Sequence, residues 1–187
     1  EVAPLFELRN LGRPLPAHWT TLVNGAAFGT DYRTRTAVAA SNVFVNRHRE
    51  TKYYFQDLDI HGRRLEGDRG YQITFAPGAL PPAGAFWSLT LYDERHALPP
   101  AAGGKGSVGS RDSGLRYGAD GSLTIIVSRD AVTAVANGDP SSNRLVPPDG
   151  VFSLYLRIYG PDESALDGTW TPPPVHPVAS SLHQAGT

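Results

Sequence analysis

The chain has no cysteine and no methionine among its 187 residues. Without cysteine there is no disulfide, no thiolate metal ligand and no cysteine nucleophile. The missing methionine, together with a first residue Glu1, leads us to expect a processed or trimmed chain that has lost a signal peptide or an upstream domain. Charge of one sign is also lacking: 17 Lys and Arg stand against 18 Asp and Glu, for a net charge of −1. A nucleic-acid binder usually carries a basic stripe, so nucleic acid is not an expected partner. No stretch approaches the roughly 18 consecutive apolar residues of a membrane span. Catalytic strings are equally scarce. There is no G-x-S-x-G elbow, and the Gly-Lys-Gly run at 104–106 has neither the spacing nor the following helix of a phosphate-binding loop. The six histidines, His18, His48, His61, His96, His176 and His183, form no HxH or HExxH pair, so their spacing gives no zinc site.

What is present is turn-forming and apolar. Twenty glycines and 16 prolines punctuate a chain that is 40% hydrophobic, a mixture that suits short strands joined by turns around one core. Residues 1–14 read as an irregular lead-in. Pro16 to Ala27 reads as a first helix, on the spacing of Trp19, Leu22, Val23 and Ala26. Asp31 to Val43 reads as a second, with Thr30 as N-cap and Tyr32, Thr36, Ala39, Ala40 and Val43 on its packing face. From Lys52 the period changes to two. Strands are expected at Tyr53–Leu58, Tyr71–Phe75, Ala85–Tyr92, Leu123–Ser128 and residues 151–159. Leu98 to Ser110 reads as a long loop, Asp120-Gly121 as a hairpin turn, and Asn137 to Pro140 as another turn. Strands without helices between them pair antiparallel. The expected fold is therefore a mainly β, antiparallel β-sandwich of jelly-roll type, with two N-terminal helices packed at one side. One domain is expected over 15–176, with a flexible tail over 177–187.

Four stretches carry a resemblance in this order: DYRTRTAVAA, APGALPPAGAFWSLTLYD, SVGSRDSGLRYGADGSLTI and GVFSLYLRIYGPDESALDGTWTPPPV. Together they resemble the bacterial domain-of-unknown-function family 1214, the C-terminal half of the two-domain proteins numbered 1254 and 1214. The resemblance spans roughly residues 15–176. It implies a jelly-roll-like sandwich, export to the periplasm or beyond, with the cytoplasm as the alternative, and a partner domain; it implies no activity. Two positions depart from the family pattern. Arg144 and Gly160 stand where relatives usually have Trp, and both are expected at the rim of the last strand.

Three groups of residues are candidates for chemistry. Tyr155, Arg157 and Tyr159 alternate on one side of the last strand, and Ser88, Thr90, Tyr92, Thr124 and Ser128 are expected to share that side. Rings and hydroxyls beside an arginine suit a glycan, a glycolipid or a similar polar ligand; the plainer reading is a solvated or helix-covered sheet face. Arg111, Asp112 and Arg116, with Ser107 and Ser110, could hold a phosphate or carboxylate, or simply pin a turn. Asp57, Asp59, Asp68, Asp93 and Glu94 could take a divalent cation such as calcium or serve a glycoside hydrolase, or be solvated turn residues. The first expectation is a non-catalytic, accessory ligand-binding module. The alternatives are a hydrolase of a phosphorylated or glycosidic small substrate and a structural subunit of a larger assembly. Trp170, ahead of three prolines, is expected to clamp the chain end onto the sheet.

Overall fold

A computed structural model describes residues 12–41, 44–99, 104–129 and 143–178. Within them the chain forms strands β1 (Arg13–Pro14) and β2 (Thr20–Thr21), helix α1 (Tyr32–Ser41), and strands β3 (Thr51–Gln56), β4 (Gly70–Phe75), β5 (Ala83–Asp93), β6 (Ser107–Gly109), β7 (Leu123–Val127), β8 (Arg144–Leu145) and β9 (Phe152–Pro161). A short helix α2 (Glu163–Asp167) and strand β10 (His176–Val178) follow. Two sheets result. One has six strands in the order β1-β2-β3-β9-β5-β6, the other four in the order β10-β4-β7-β8. Pairing is antiparallel except between β7 and β8. The fold is mainly β, as expected.

The alternation in β5 and β9 explains the core. Trp87, Leu89 and Leu91 from β5 and Phe152, Leu154, Leu156 and Ile158 from β9 are buried in one cluster with Tyr71, Ile73 and Phe75 of β4 and Leu123, Ile125 and Val127 of β7. Rings meet from both sheets: Tyr71 lies edge-on to Phe152 with centroids 5.8 Å apart, and Phe75 lies 5.9 Å from Trp87. Each side chain of this size contributes about 1.5–3 kcal/mol on full burial, so this shared cluster is the main stabilising element.

The N-terminal region differs from expectation. Pro16–His18 is a single 3₁₀ turn, and Ala17 and His18 take left-handed φ values of 56° and 66°. The chain then pairs as β2 with β3. Trp19 and Leu22 are both buried, but in different clusters on opposite faces of the sheet. A spacing of three residues puts side chains on one side of a helix and on opposite sides of a strand, and the strand won because both faces of β3 needed cover. The second helix forms as expected, with a shifted start. Asp31 caps it by accepting a hydrogen bond from the Thr34 N–H at 3.0 Å. Its buried side is Ala37 and Val38, while Tyr32 is exposed. These two residues pack on Tyr53, Phe55 and Tyr155, the outer face of the six-stranded sheet. All six residues of β3 are buried, between that helix and the core.

Other expectations change in detail. The loop expected over Leu98 to Ser110 contains strand β6. Asp120-Gly121 does form a turn, with Asp120 Oδ1 accepting from the Ser122 N–H, but no strand precedes it, and β7 pairs instead with β4. Pro177 and Val178 belong to β10, paired with Tyr71 and Gly70. The turn expected at Asn137 to Pro140 lies outside the described residues. Arg144 is on β8 of the four-stranded sheet, away from the rim of β9. Among the described residues no helix is long and apolar enough to cross a membrane.

Candidate functional site

The outer face of the six-stranded sheet is set by register. β9 lies between β3 and β5, so its outward residues meet a partner on each side. Tyr159 pairs with Thr51 and Phe86, Arg157 with Tyr53 and Ser88, and Tyr155 with Phe55 and Thr90. Helix α1 covers the Tyr53–Phe55–Tyr155 part. The part toward β5 is left open: Phe86, Ser88, Tyr92, Arg157 and Tyr159 are half-buried and Arg111 is exposed.

Arg157 sits at the boundary. Its guanidinium carbon is 5.3 Å from the ring centroids of both Tyr92 and Tyr155 and 5.9 Å from that of Tyr53. One guanidinium nitrogen donates to the Tyr92 hydroxyl at 2.8 Å. Tyr92 in turn stacks on Tyr155, centroids 4.1 Å apart. One row further along, Phe86 and Tyr159 stack at 4.1 Å, and the Arg111 guanidinium lies 3.7 Å from the Phe86 centroid. Cation–π contacts of this kind hold a guanidinium by its face and leave its N–H edges free to bond. Tyr155 is buried, and burial above all, helped by the nearby Asp57 charge, pushes its hydroxyl pKa well above the ordinary tyrosine value. It is therefore a neutral phenol at any physiological pH. Its oxygen lies 3.4 Å from Nδ1 of His96, a residue in left-handed conformation on the turn that Asp93 caps.

Five of the seven residues singled out for ligand contact thus meet on one face: Tyr155, Arg157, Tyr159, Tyr92 and Arg111. Asp112 and Arg116 make their contacts elsewhere. The Asp112 carboxylate lies 3.7 Å from Lys105 Nζ, and the main chain of Arg116 is bracketed by the Asn143 side chain, which accepts from its N–H and donates to its carbonyl. Ser107 and Ser110 brace strands: Ser107 bonds Thr90, and Ser110 accepts from the Trp87 N–H. Thr124 is on β7 of the other sheet, bonded to Thr74, and Ser128 follows that strand. Neither shares the face with Arg157. Phe86 and Tyr53 were missing from the reading by sequence, although their parity with Ser88 and Phe55 carried the signal. His96 had none, because only the turn brings it in.

Three of the acidic residues, Asp57, Asp59 and Asp93, are occupied as hydrogen-bond acceptors. Asp57 is buried and accepts from the Ser153 hydroxyl at 2.6 Å, with Arg64 at 3.5 Å. Asp59 is buried, which by itself raises its pKa. Hydrogen bonds from the N–H groups of Arg63 and His61 and the Arg63 side chain outweigh that and hold it below the ordinary value. Asp68 lines a shallow cavity of about 310 Å³ with Glu66, Arg129 and Asp149. Among the described residues no three His, Asp or Glu side chains come together as a metal site. A second cavity, of about 540 Å³, lies between the N-terminal strands and the start of α1, lined by Arg13, Leu22, Asn24 and Asp31 among others.

The model of the protein family of unknown function DUF1214 matches residues 50–163, more than half of the chain. The chain belongs to that family. The matched span contains β3 to β9, and so every member of the open face. Among solved structures the chain is similar to the VPA0106 protein from Vibrio parahaemolyticus, with a TM-score of 0.63 and 22% identity, over 82% of this chain and 37% of that one. At that identity the likeness concerns the fold. An uncharacterized protein from Burkholderia cenocepacia is also similar, with a TM-score of 0.42 and 21% identity over 68% of this chain and 28% of that one. The DUF1214 chain thus spans well under half the length of either solved relative. No curated protein matches it.

Proposed function

We propose that this DUF1214 chain is an accessory β-sandwich of jelly-roll type that binds a glycan, glycolipid or similar polar ligand on the open part of its six-stranded sheet, without catalysing a reaction. The single supporting observation is the arrangement on β5 and β9. Stacked rings, an arginine and hydroxyls line up by register and stay half-buried, where a purely structural cluster would be closed over as Tyr155 is. The face of the Tyr159 ring turned away from Phe86 takes the C–H face of a sugar, and Ser88, Tyr92 and Arg157 take its hydroxyls. Among the described residues nothing on that face resembles an activated nucleophile: the Ser153 hydroxyl is buried and donates to Asp57. The proposal includes work outside the cytoplasm, carried by the family resemblance. It also includes a partner domain or subunit, in keeping with the 37% share of the VPA0106 chain that this chain covers.

Titration calorimetry against a panel of neutral and acidic oligosaccharides tests it. Binding that Tyr159→Ala weakens about tenfold, roughly 1.4 kcal/mol, is the expected result. Binding unaffected by Tyr159→Ala would place the ligand elsewhere, and no binding to any member of the panel would remove the glycan reading.

A further inference from the structure

We infer that the ligand of this face is an acidic saccharide with two anionic groups, one for Arg157 and one for Arg111. This rests on the binding reading above and narrows it. Among the described residues the ion pairs are Arg49–Glu163, Arg63–Asp59, Arg64–Asp57, Arg69–Glu66, Lys105–Asp112 and Arg129–Asp149. Neither Arg157 nor Arg111 is in that set. Both are held by aromatic rings instead. Stacking fixes the plane of a guanidinium and leaves its charge unneutralised. Arg157 gives one of its five N–H donors to Tyr92, which leaves a fork for a planar or tetrahedral anion. A half-buried cation without a counter-ion is unfavourable in the free protein, and that unfavourable state is relieved when an anion arrives with the ligand.

The order of the two charges along the face comes from register. Ser88 lies directly opposite Arg157, and Phe86, which carries Arg111, lies opposite Tyr159. The two pairs are successive same-face positions along β5 and β9, about 7 Å apart at the usual strand rise. The Phe86–Tyr159 stack lies at the second position, beside Arg111. A saccharide whose ring lies on the stack and whose acid groups reach both arginines satisfies all three elements. A lone small anion satisfies only one.

Calorimetry on the full chain separates the possibilities, with trigalacturonate and trimannuronate as probes, their methyl esters as neutral counterparts, and inorganic phosphate as an anion without a sugar. Both acidic trimers are expected to bind at low salt, the esters at least tenfold more weakly, and phosphate weakly or not at all. Arg111→Met and Arg157→Met should each lose about tenfold with at least one acidic trimer and clearly less with the esters. Arg111 is exposed, so its variant is expected to fold, and Arg157→Lys serves as a second probe if Arg157→Met unfolds. Equal binding of trimers and esters would overturn the acidic inference and leave the glycan reading intact. Phosphate bound as tightly as the trimers, with loss in both arginine variants, would overturn the saccharide part. No binding of any probe would overturn the inference. The glycan reading would then stand or fall with the wider neutral panel.

Discussion

Trp19 should be the heavier of two indole clamps on the proline-rich end of the domain. Its side chain is 1% exposed, and Nε1 donates to the Pro173 carbonyl at 2.8 Å, across 154 residues of sequence. A proline carbonyl here has no neighbouring strand to bond, so the indole N–H supplies its partner. Complete burial of a tryptophan removes about 150–250 Å² from water, worth about 4–6 kcal/mol at 25 cal/mol per Å². Partial relaxation around an alanine brings the expected loss for Trp19→Ala to about 4 kcal/mol. Trp19→Phe keeps most of the ring and removes the donor, for a loss of about 1–2 kcal/mol. Trp170 makes the weaker contact. It is only half-buried, donates to the Ala79 carbonyl at 3.1 Å and meets Tyr54 edge-on at 5.6 Å. Trp170→Ala should therefore cost about 2 kcal/mol, less than full burial of that residue would imply. For a chain of this size each kcal/mol lowers Tm by about 2–4 °C, so drops of about 12 °C and 6 °C are expected. Thermal and urea unfolding followed by circular dichroism measure both. The reasoning fails if Trp170→Ala is the more damaging change, or if Trp19→Phe leaves the midpoint unmoved.

Two further predictions concern charge. Lys52 is buried on the core side of β3, and Nζ donates to the Leu22 carbonyl at 3.2 Å; among the described residues no carboxylate pairs with it. Burial, then the nearby Arg13 charge, holds its pKa below the ordinary 10.5. A cation whose folded pKa is depressed weakens the fold while charged, so stability should rise with pH as the folded amine loses its proton below 10.5. Lys52→Met should be neutral or stabilising by about 1 kcal/mol at pH 7, with the gap over wild type closing by about pH 10; a gap that is constant from pH 7 to 10 would refute it. Asp59 has the opposite sign. Its carboxyl is held below the ordinary 3.8, so its contribution is present above that value and is lost as pH falls through the folded value. Wild type should exceed Asp59→Asn in urea midpoint at pH 7, and the difference should shrink as pH falls below 3.8; a difference that does not change with pH would remove Asp59 as the source.

The two longest strands were the most legible part of the sequence because each has a single alternation to read. The inward residues of β5 and β9 are those expected, and their outward residues supply most of the open face. What period two does not encode is the neighbour. Nothing in Leu123–Val127 distinguishes a hairpin partner just before Asp120 from β4, to which Ile125 is joined opposite Ile73. The misread first helix has a similar origin, since Trp19 and Leu22 are apolar under either geometry and only the demand for cover on both faces of β3 selects the strand. The aromatic box around Arg157 was half visible. Tyr92 and Tyr155 follow from alternation within their own strands, whereas Tyr53 joins them only once β3 is known to flank β9.

Gly160 ties the departure from the family pattern to the shape of the site. It ends the outward row of β9 just after Tyr159, with φ of 60°, a left-handed conformation that a residue with a side chain adopts at a cost of about 1 kcal/mol. Space is not the obstacle, because a Cβ there would approach Ala85 N no closer than 3.4 Å. The conformation is. Opposite it, β5 slips register between Ala83 and Phe86, the irregularity that a left-handed residue accommodates. After that slip Phe86 faces Tyr159 squarely enough to stack within 14° of parallel, and Arg111 caps the stack. A tryptophan at 160, as the family resemblance implies for relatives, would favour an ordinary extended backbone and so a different alignment of the two strands at this end. The left-handed Gly160, the register slip and the Arg111–Phe86–Tyr159 stack are thus one arrangement, and the second anion position proposed above depends on all three.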